Sequence, residues 1–193
     1  MEVQNKSGQY IPCRALLESA SQSHFITERC VQRLTFSRTQ THASIQGISS
    51  VNTETYHSVS LHLRPRHTDW HTTLNCAILS HITGTTPSKK LDKNTWMIPK
   101  DIRLADEQFD QPGDIDLLIG ADLFYEMLRS GRRTLPGKYP VLQETVLSWT
   151  LSGRTPSTTI QHDPQHTFLL LEDSSLEHNL NRSREVETWN NPP

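Results

Sequence analysis

Leu16-Leu17-Glu18-Ser19-Ala20-Ser21-Gln22-Ser23-His24-Phe25-Ile26 runs from two leucines into a carboxylate, passes through small and hydroxyl residues, and closes on two large apolar side chains. Read alone, the stretch has a plain meaning: a solvated acid opening a helix, with Ser19 or Ser21 as its N-cap. It also has a chemical meaning. Two carboxylates held a hydrogen bond apart cannot both ionise, so they share a proton. One then acts as base on a water while the other donates to a carbonyl. Such a site needs an apolar strand to exclude water, a hydroxyl to fix the loop, and a tiny residue so that the backbone can turn tightly. The rest of the chain decides between the two.

The 193 residues suffice for one domain with a sizeable core and some tail; at 34% hydrophobic, part of the chain is expected to stay unpacked. Net charge is −2 with both signs interspersed, so no basic block exists to drive nucleic-acid binding. The apolar runs are only a few residues long, too short for a membrane span, and Met1 is followed by Glu2 rather than by a basic and apolar leader. Cys13, Cys30 and Cys76 lie far apart, form no CxxC pair and are odd in number, which points away from a disulfide framework and towards a reduced, cytoplasmic setting.

Short strand signals dominate. Val3 to Leu17 reads as two strands around a turn at Gly8. Ser21 to Leu34 reads as a helix, because Phe25, Ile26, Cys30, Val31 and Leu34 fall near a 3.6-residue period. Ala43 to Leu63 reads as a long hairpin, with Tyr56, Ser58, Ser60 and His62 on one face and His57, Val59, Leu61 and Leu63 on the other. Leu74 to Leu79 is a strand. Ile115 to Phe124 is a strand that ends at Gly120 and opens a short helix, and Thr145 to Gly153 is a last strand. Composition then turns to Thr, Ser, His, Asn and Pro. The expected organisation is a mostly β domain over 1–153 with one or two short helices, and a loosely ordered tail over 154–193.

These pieces together resemble the retropepsin-like aspartic peptidase domain of BEL/Pao-type retrotransposon pol polyproteins. The Leu16–Ile26 run is similar to that family's Leu-Leu-Asp-Ser-Gly-Ser-Gln-x-Ser-Phe-Ile. Ile45-Gln46-Gly47-Ile48 resembles a flap tip, and Ile102-Arg103-Leu104-Ala105-Asp106 with Phe109 to Pro112 resembles its leucine-alanine-aspartate segment. Ile115-Asp116-Leu117-Leu118-Ile119-Gly120-Ala121-Asp122-Leu123-Phe124 resembles its IDLLLGAD signature, and Trp149-Thr150-Leu151-Ser152-Gly153 its closing segment, with Ser148 where a glycine is usual. Leu180-Asn181-Arg182 to Glu187 resembles the start of the link towards a reverse transcriptase, so the chain reads as a fragment of something longer.

The resemblance implies an acid-protease β-barrel, a homodimer built across two Glu18 loops, a polypeptide substrate from the element's own polyprotein, and no metal or other cofactor. It gives Glu18, Ser19 and Ala20 the catalytic loop, and Gly47 and Ile48 the flap over the substrate. Two departures stand out. The acid is Glu18 rather than aspartate, and a displacement of about 1 Å can cost on the order of a hundredfold in rate. Ala20 replaces a glycine, which strains the turn by on the order of 1 kcal/mol if that residue needs positive φ. Peptidase activity is therefore expected to be weak or lost. The alternative is a non-catalytic retroelement remnant that acts only as a folded dimer or peptide-binding module.

Other chemistry-bearing residues read more plainly. His24 beside Ser19, Ser21 and Ser23 is expected to point to solvent, not to activate a serine. His57, His62, His67 and His71 lack ligand spacing. Asp116 and Asp122 are expected to be structural, at the start of a strand and as the cap of the short helix. Leu169 to Glu177, with Asp173, Ser174 and Ser175, imitates a second acid loop, but nothing after it could build a second lobe; a capped helix in a linker is expected there.

Overall fold

The computed structural model describes residues 1–47, 52–138 and 140–153, and the backbone of 169–172. The chain is mostly β. Its strands are β1 (Glu2–Gln4), β2 (Tyr10–Pro12), β3 (Ala15–Leu17), β4 (His24–Thr27), β5 (Thr39–Gly47), β6 (Asn52–Arg64), β7 (Thr72–Leu79), β8 (Leu117–Ile119), β9 (Leu128–Thr134), β10 (Val141–Thr145), β11 (Ser148–Ser152) and β12 (Leu169–Glu172). Two short helices, α1 (Glu28–Arg33) and α2 (Ala121–Met127), are interspersed. The large sheet runs β12-β5-β6-β7-β4-β8-β3, with β1 joining β6 and β2, and curls into a half-barrel. A second sheet runs β11-β10-β9.

The hairpin of β5 and β6 follows its alternation from Val59 on: Val59, Leu61 and Leu63 are buried and Tyr56 stays exposed, but His57, expected on the face of Val59, is exposed as well. Gly8 turns the first strands with φ +82°. The helix expected over Ser21–Leu34 is corrected. Only Glu28–Arg33 is helical, and His24–Thr27 is strand β4, parallel to β7 and antiparallel to β8. A strand paired on both edges and covered on both faces buries every residue, so its apolar run loses the two-residue period and imitates a helix. The switch falls at Thr27, whose hydroxyl accepts the Cys30 N–H at 3.3 Å as N-cap. Thr35, at φ 58°, closes the helix in the left-handed conformation.

Two further expectations change. Thr145–Gly153 is not one strand: β10 and β11 form a tight hairpin, and Val146 is buried against the main core. Leu169–Glu172 is not helical either. It is strand β12, antiparallel to β5, with Leu169 opposite Gly47. The remainder of the tail, including Asp173 to Glu177 and Leu180 to Glu187, lies outside the described residues, as does Ile48.

The main core gathers Val3, Ile26, Cys30, Val31, Leu34, Val59, Leu61, Leu63, Leu117, Ile119 and Met127 under the curl of the large sheet. A second cluster, Phe25, Ile45, Leu79 and Leu118, fills the opposite face of β4 and β8. Trp96, Leu135 and Leu142 anchor the 91–109 segment on the smaller sheet. No helix among the described residues is long and apolar enough to cross a membrane.

Candidate active site

The segment Glu18–Ser23 joins β3 to β4, and β8 lies between those two strands. β3 pairs with β8 in parallel (Leu17 opposite Ile119) and β4 pairs with it antiparallel (Phe25 opposite Leu118). The polypeptide thus leaves along one side of β8 and returns along the other, and the Glu18 loop crosses the end of β8 where Gly120 begins α2. The three strands are only three or four residues long, and the loop is held by what emerges from β8.

That hold is made of backbone. Glu18 N–H donates to Ile119 O at 2.9 Å, and Ala121 N–H donates to Ser21 O at 2.7 Å. Ser21 is fully buried and its hydroxyl donates to Ser23 O at 2.8 Å. Gly120 is pressed against the loop so closely that a Cβ there would stand 2.5 Å from Ser23 O and 2.6 Å from Ser21 O. This is a glycine chosen for space, since its φ of −82° suits any residue. The Glu18 carboxylate curls onto its own loop: its Oε1 accepts the Ala20 N–H at 2.9 Å. Glu18 is half-buried, while Ser19 and Ala20 are exposed. Ala20 does not adopt positive φ, so the backbone strain expected from its methyl does not arise.

His24 departs from expectation. It is buried, and its Nδ1 accepts the Gly120 N–H at 3.0 Å, which leaves the proton of the neutral ring on Nε2. Burial pushes its pKa down, and the Asp122 carboxylate works against that shift. His24 is thus a clasp between β4 and the start of α2, and it has no part in activating a serine. Asp122 is not the helix cap either: Gly120 holds that position without a side-chain bond, and Asp122 sits in the first turn, where a negative charge suits the helix dipole.

Asp116 is structural, as its place before β8 implies. It is buried; its Oδ2 accepts the Arg14 N–H at 3.0 Å and pairs with Arg33 at 2.9 Å. Arg14 is the residue that sequence reasoning passed over. Its Nε meets Asp106 at 2.8 Å, and its guanidinium also donates to Thr86 O, Gln108 O and Gln111 O. One arginine just before β3 therefore ties down the long connection from β7 to β8, and nothing local in the sequence marks it, because its partners lie 72 to 97 residues away.

Gly47 ends β5, and Ile45 two residues earlier packs into the cluster with Phe25 and Leu118, which holds the turn side of the hairpin against β4 and β8. Among the described residues no hydrogen bond joins Gly47 to the Glu18 loop. The four histidines 57, 62, 67 and 71 are all exposed, and none enters the potential metal-holding group among the described residues, which is Cys13, Cys30 and Asp116. An open depression of about 680 Å³ lies over Lys93–Phe109, lined in part by Met97, Ile98, Ile102 and Phe109, and includes no residue of the Glu18 loop. No family model, curated protein or solved structure matches the chain.

Proposed function

We propose that this chain is a retropepsin-like aspartic peptidase domain of retrotransposon origin whose active site has degenerated. The observation that carries the reading is the threading of β8 between β3 and β4 beneath the Glu18 loop. This puts a carboxylate at the tip of an apolar crossing, with α2 directly behind it, which is the arrangement the quoted motifs imply. The curled sheet and the β5–β6 hairpin, with Gly47 at its described end and Ile48 just beyond, support a groove that takes an extended peptide as an added strand.

One chain supplies one such loop, so the working unit is a homodimer in which two Glu18 carboxylates face each other and share a proton. The ionised one takes a proton from water as that water attacks the scissile carbonyl; the protonated one donates to the carbonyl oxygen. Ser19 and Ala20 shape the loop. The extra methylene of each Glu18 is what disables the pair, because two longer side chains crowd a space built for two short ones. The natural substrate is the polyprotein of the parent element. The three unpaired thiols suit the cytoplasm.

The test is cleavage of a peptide library at mildly acidic pH by the full chain and by the double variant Glu18→Asp, Ala20→Gly. Cleavage by the variant alone supports a disabled peptidase, and cleavage by both shows that glutamate serves in the dyad. If neither cuts and neither dimerises, the reading fails. The second reading, a non-catalytic dimer or peptide-binding module, is favoured by the identity of Glu18 itself; dimerisation of both proteins without cleavage by either would support it.

A further inference from the structure

We propose that Cys13 and Cys30 are a redox pair that closes into a disulfide on exposure to hydroperoxide, stapling the two arms of the Glu18 loop. The inference stands on its own geometry and does not depend on the peptidase reading. The two sulfurs lie 3.8 Å apart in the interior, with Cys13 7% exposed and Cys30 fully buried. Cys13 sits at the corner between β2 and β3, upstream of Glu18; Cys30 sits in α1, just past β4. The 17-residue separation that made them look unrelated in sequence spans the whole acid loop.

Their surroundings give them different tasks. The Arg33 guanidinium reaches both sulfurs, with Nη2 3.3 Å from Cys13 Sγ and 3.6 Å from Cys30 Sγ, and also pairs with Asp116. The hydrogen bond from Cys30 holds the Cys13 thiol below its ordinary range, with Arg33 adding to it against the opposing effect of burial. The same bond, with burial, pushes Cys30 upward. Cys13, 7% exposed where Cys30 has no exposed surface, is the sulfur nearer to solvent and is therefore the attacking one, with Cys30 resolving. Cys13 and Cys30 with Asp116 also have the spacing of a metal cluster, all within 4.8 Å. Against that, the chain's own cation, Arg33, already contacts both sulfurs and the carboxylate.

The chemistry balances with hydrogen peroxide as oxidant. The Cys13 thiolate attacks one peroxide oxygen; an S–O bond forms, the O–O bond breaks, and the hydroxide released leaves as water with the thiol's proton. The Cys30 sulfur then attacks the Cys13 sulfenic acid. The S–S bond forms, the S–O bond breaks, and a second water leaves with the Cys30 proton. Two thiols have lost two electrons and peroxide has gained them. A thiol reductant reverses the step.

The experiment treats the full chain with a few equivalents of hydrogen peroxide. Thiols titrated in denaturant fall from three to one, non-reducing peptide mapping joins Cys13 to Cys30, and Cys76 remains alkylatable. Closing a loop of this length raises Tm by roughly 5–10 °C, and dithiothreitol restores the starting value. In Cys30→Ala the reaction stops at a Cys13 sulfenic acid that a dimedone probe labels. If that variant does not fold, Cys76→Ser serves instead, its thiols falling from two to none. Three thiols surviving peroxide, a bond joining Cys13 residues of two chains, or one equivalent of zinc retained with both thiols protected would each overturn the proposal.

Discussion

Replacing Gly120 by alanine tests whether the Glu18 loop really lies against the start of α2. At most sites with an ordinary φ, this change stabilises by about 0.4–1 kcal/mol, because the unfolded chain loses freedom. Gly120 has such a φ, −82°, so no backbone strain opposes the change. Space does. The new Cβ would meet Ser23 O at 2.5 Å and Ser21 O at 2.6 Å, both backbone atoms that cannot swing away. Moving them to about 3.0 Å opens the contact by roughly 0.5 Å, an overpacking that costs about 1–3 kcal/mol. The same movement stretches Ala121 N–H to Ser21 O from 2.7 Å and Gly120 N–H to His24 Nδ1 from 3.0 Å, which adds about 1 kcal/mol. Set against the gain through the unfolded chain, the net loss is about 1–3.5 kcal/mol, read as a lower urea midpoint at unchanged m-value. If Gly120→Ala is as stable as the parent, the loop does not cross the end of β8, and Glu18 does not sit where the proposed site needs it.

Ser148 stands at φ 94°, where the resemblance places a glycine; Ser148→Gly should be more stable than Ser148→Ala by about 1 kcal/mol in urea, a comparison in which both variants lack the hydroxyl bond to Arg103 O. Equal stability would mean that the turn relaxes to negative φ. His24 has a folded pKa below the ordinary 6.5, so its contribution is fully present above 6.5 and is lost as pH falls through the folded value. The urea midpoint should drop as the pH is lowered from neutrality, and the drop should shrink in His24→Asn, which keeps an acceptor for Gly120 N–H but cannot titrate; an unchanged drop would remove His24 as its source.

What the sequence made legible follows from how each element meets solvent. The β5–β6 hairpin has one wet face, so Tyr56 and Val59 separate cleanly and its alternation can be read directly. β4 has no wet face or free edge, and His24, Phe25, Ile26 and Thr27 are all buried, so its strand character depends on partners in β7 and β8 that are distant in sequence. β9 escaped notice for the opposite reason: Leu128–Thr134 is largely exposed and arginine-rich, and only its pairing with β10 makes it a strand. At the site, Glu18 and Gly120 were visible as ends of apolar runs. His24 was misjudged because its acceptor role depends on Gly120, 96 residues away. The Cys13–Cys30 contact was hidden in the same way, by the fold of the loop between them.

The clasp sets a condition on the proposed chemistry. A carboxylate pair that shares one proton works best at acidic pH, where one of the two stays protonated. His24 asks for the reverse, because its Nδ1 must be bare to accept the Gly120 N–H that helps hold the Glu18 loop against α2. As acid is added, the pair gains the proton it needs while the clasp gains one it cannot accommodate. If the proposed chemistry holds, activity in the Glu18→Asp, Ala20→Gly protein should be confined between these two titrations, its acid limb reporting loop release as much as carboxylate protonation. In the proposed dimer two Glu18 loops would face each other, so the clasp would be present twice at one site, and release of either loop would be enough to separate the pair.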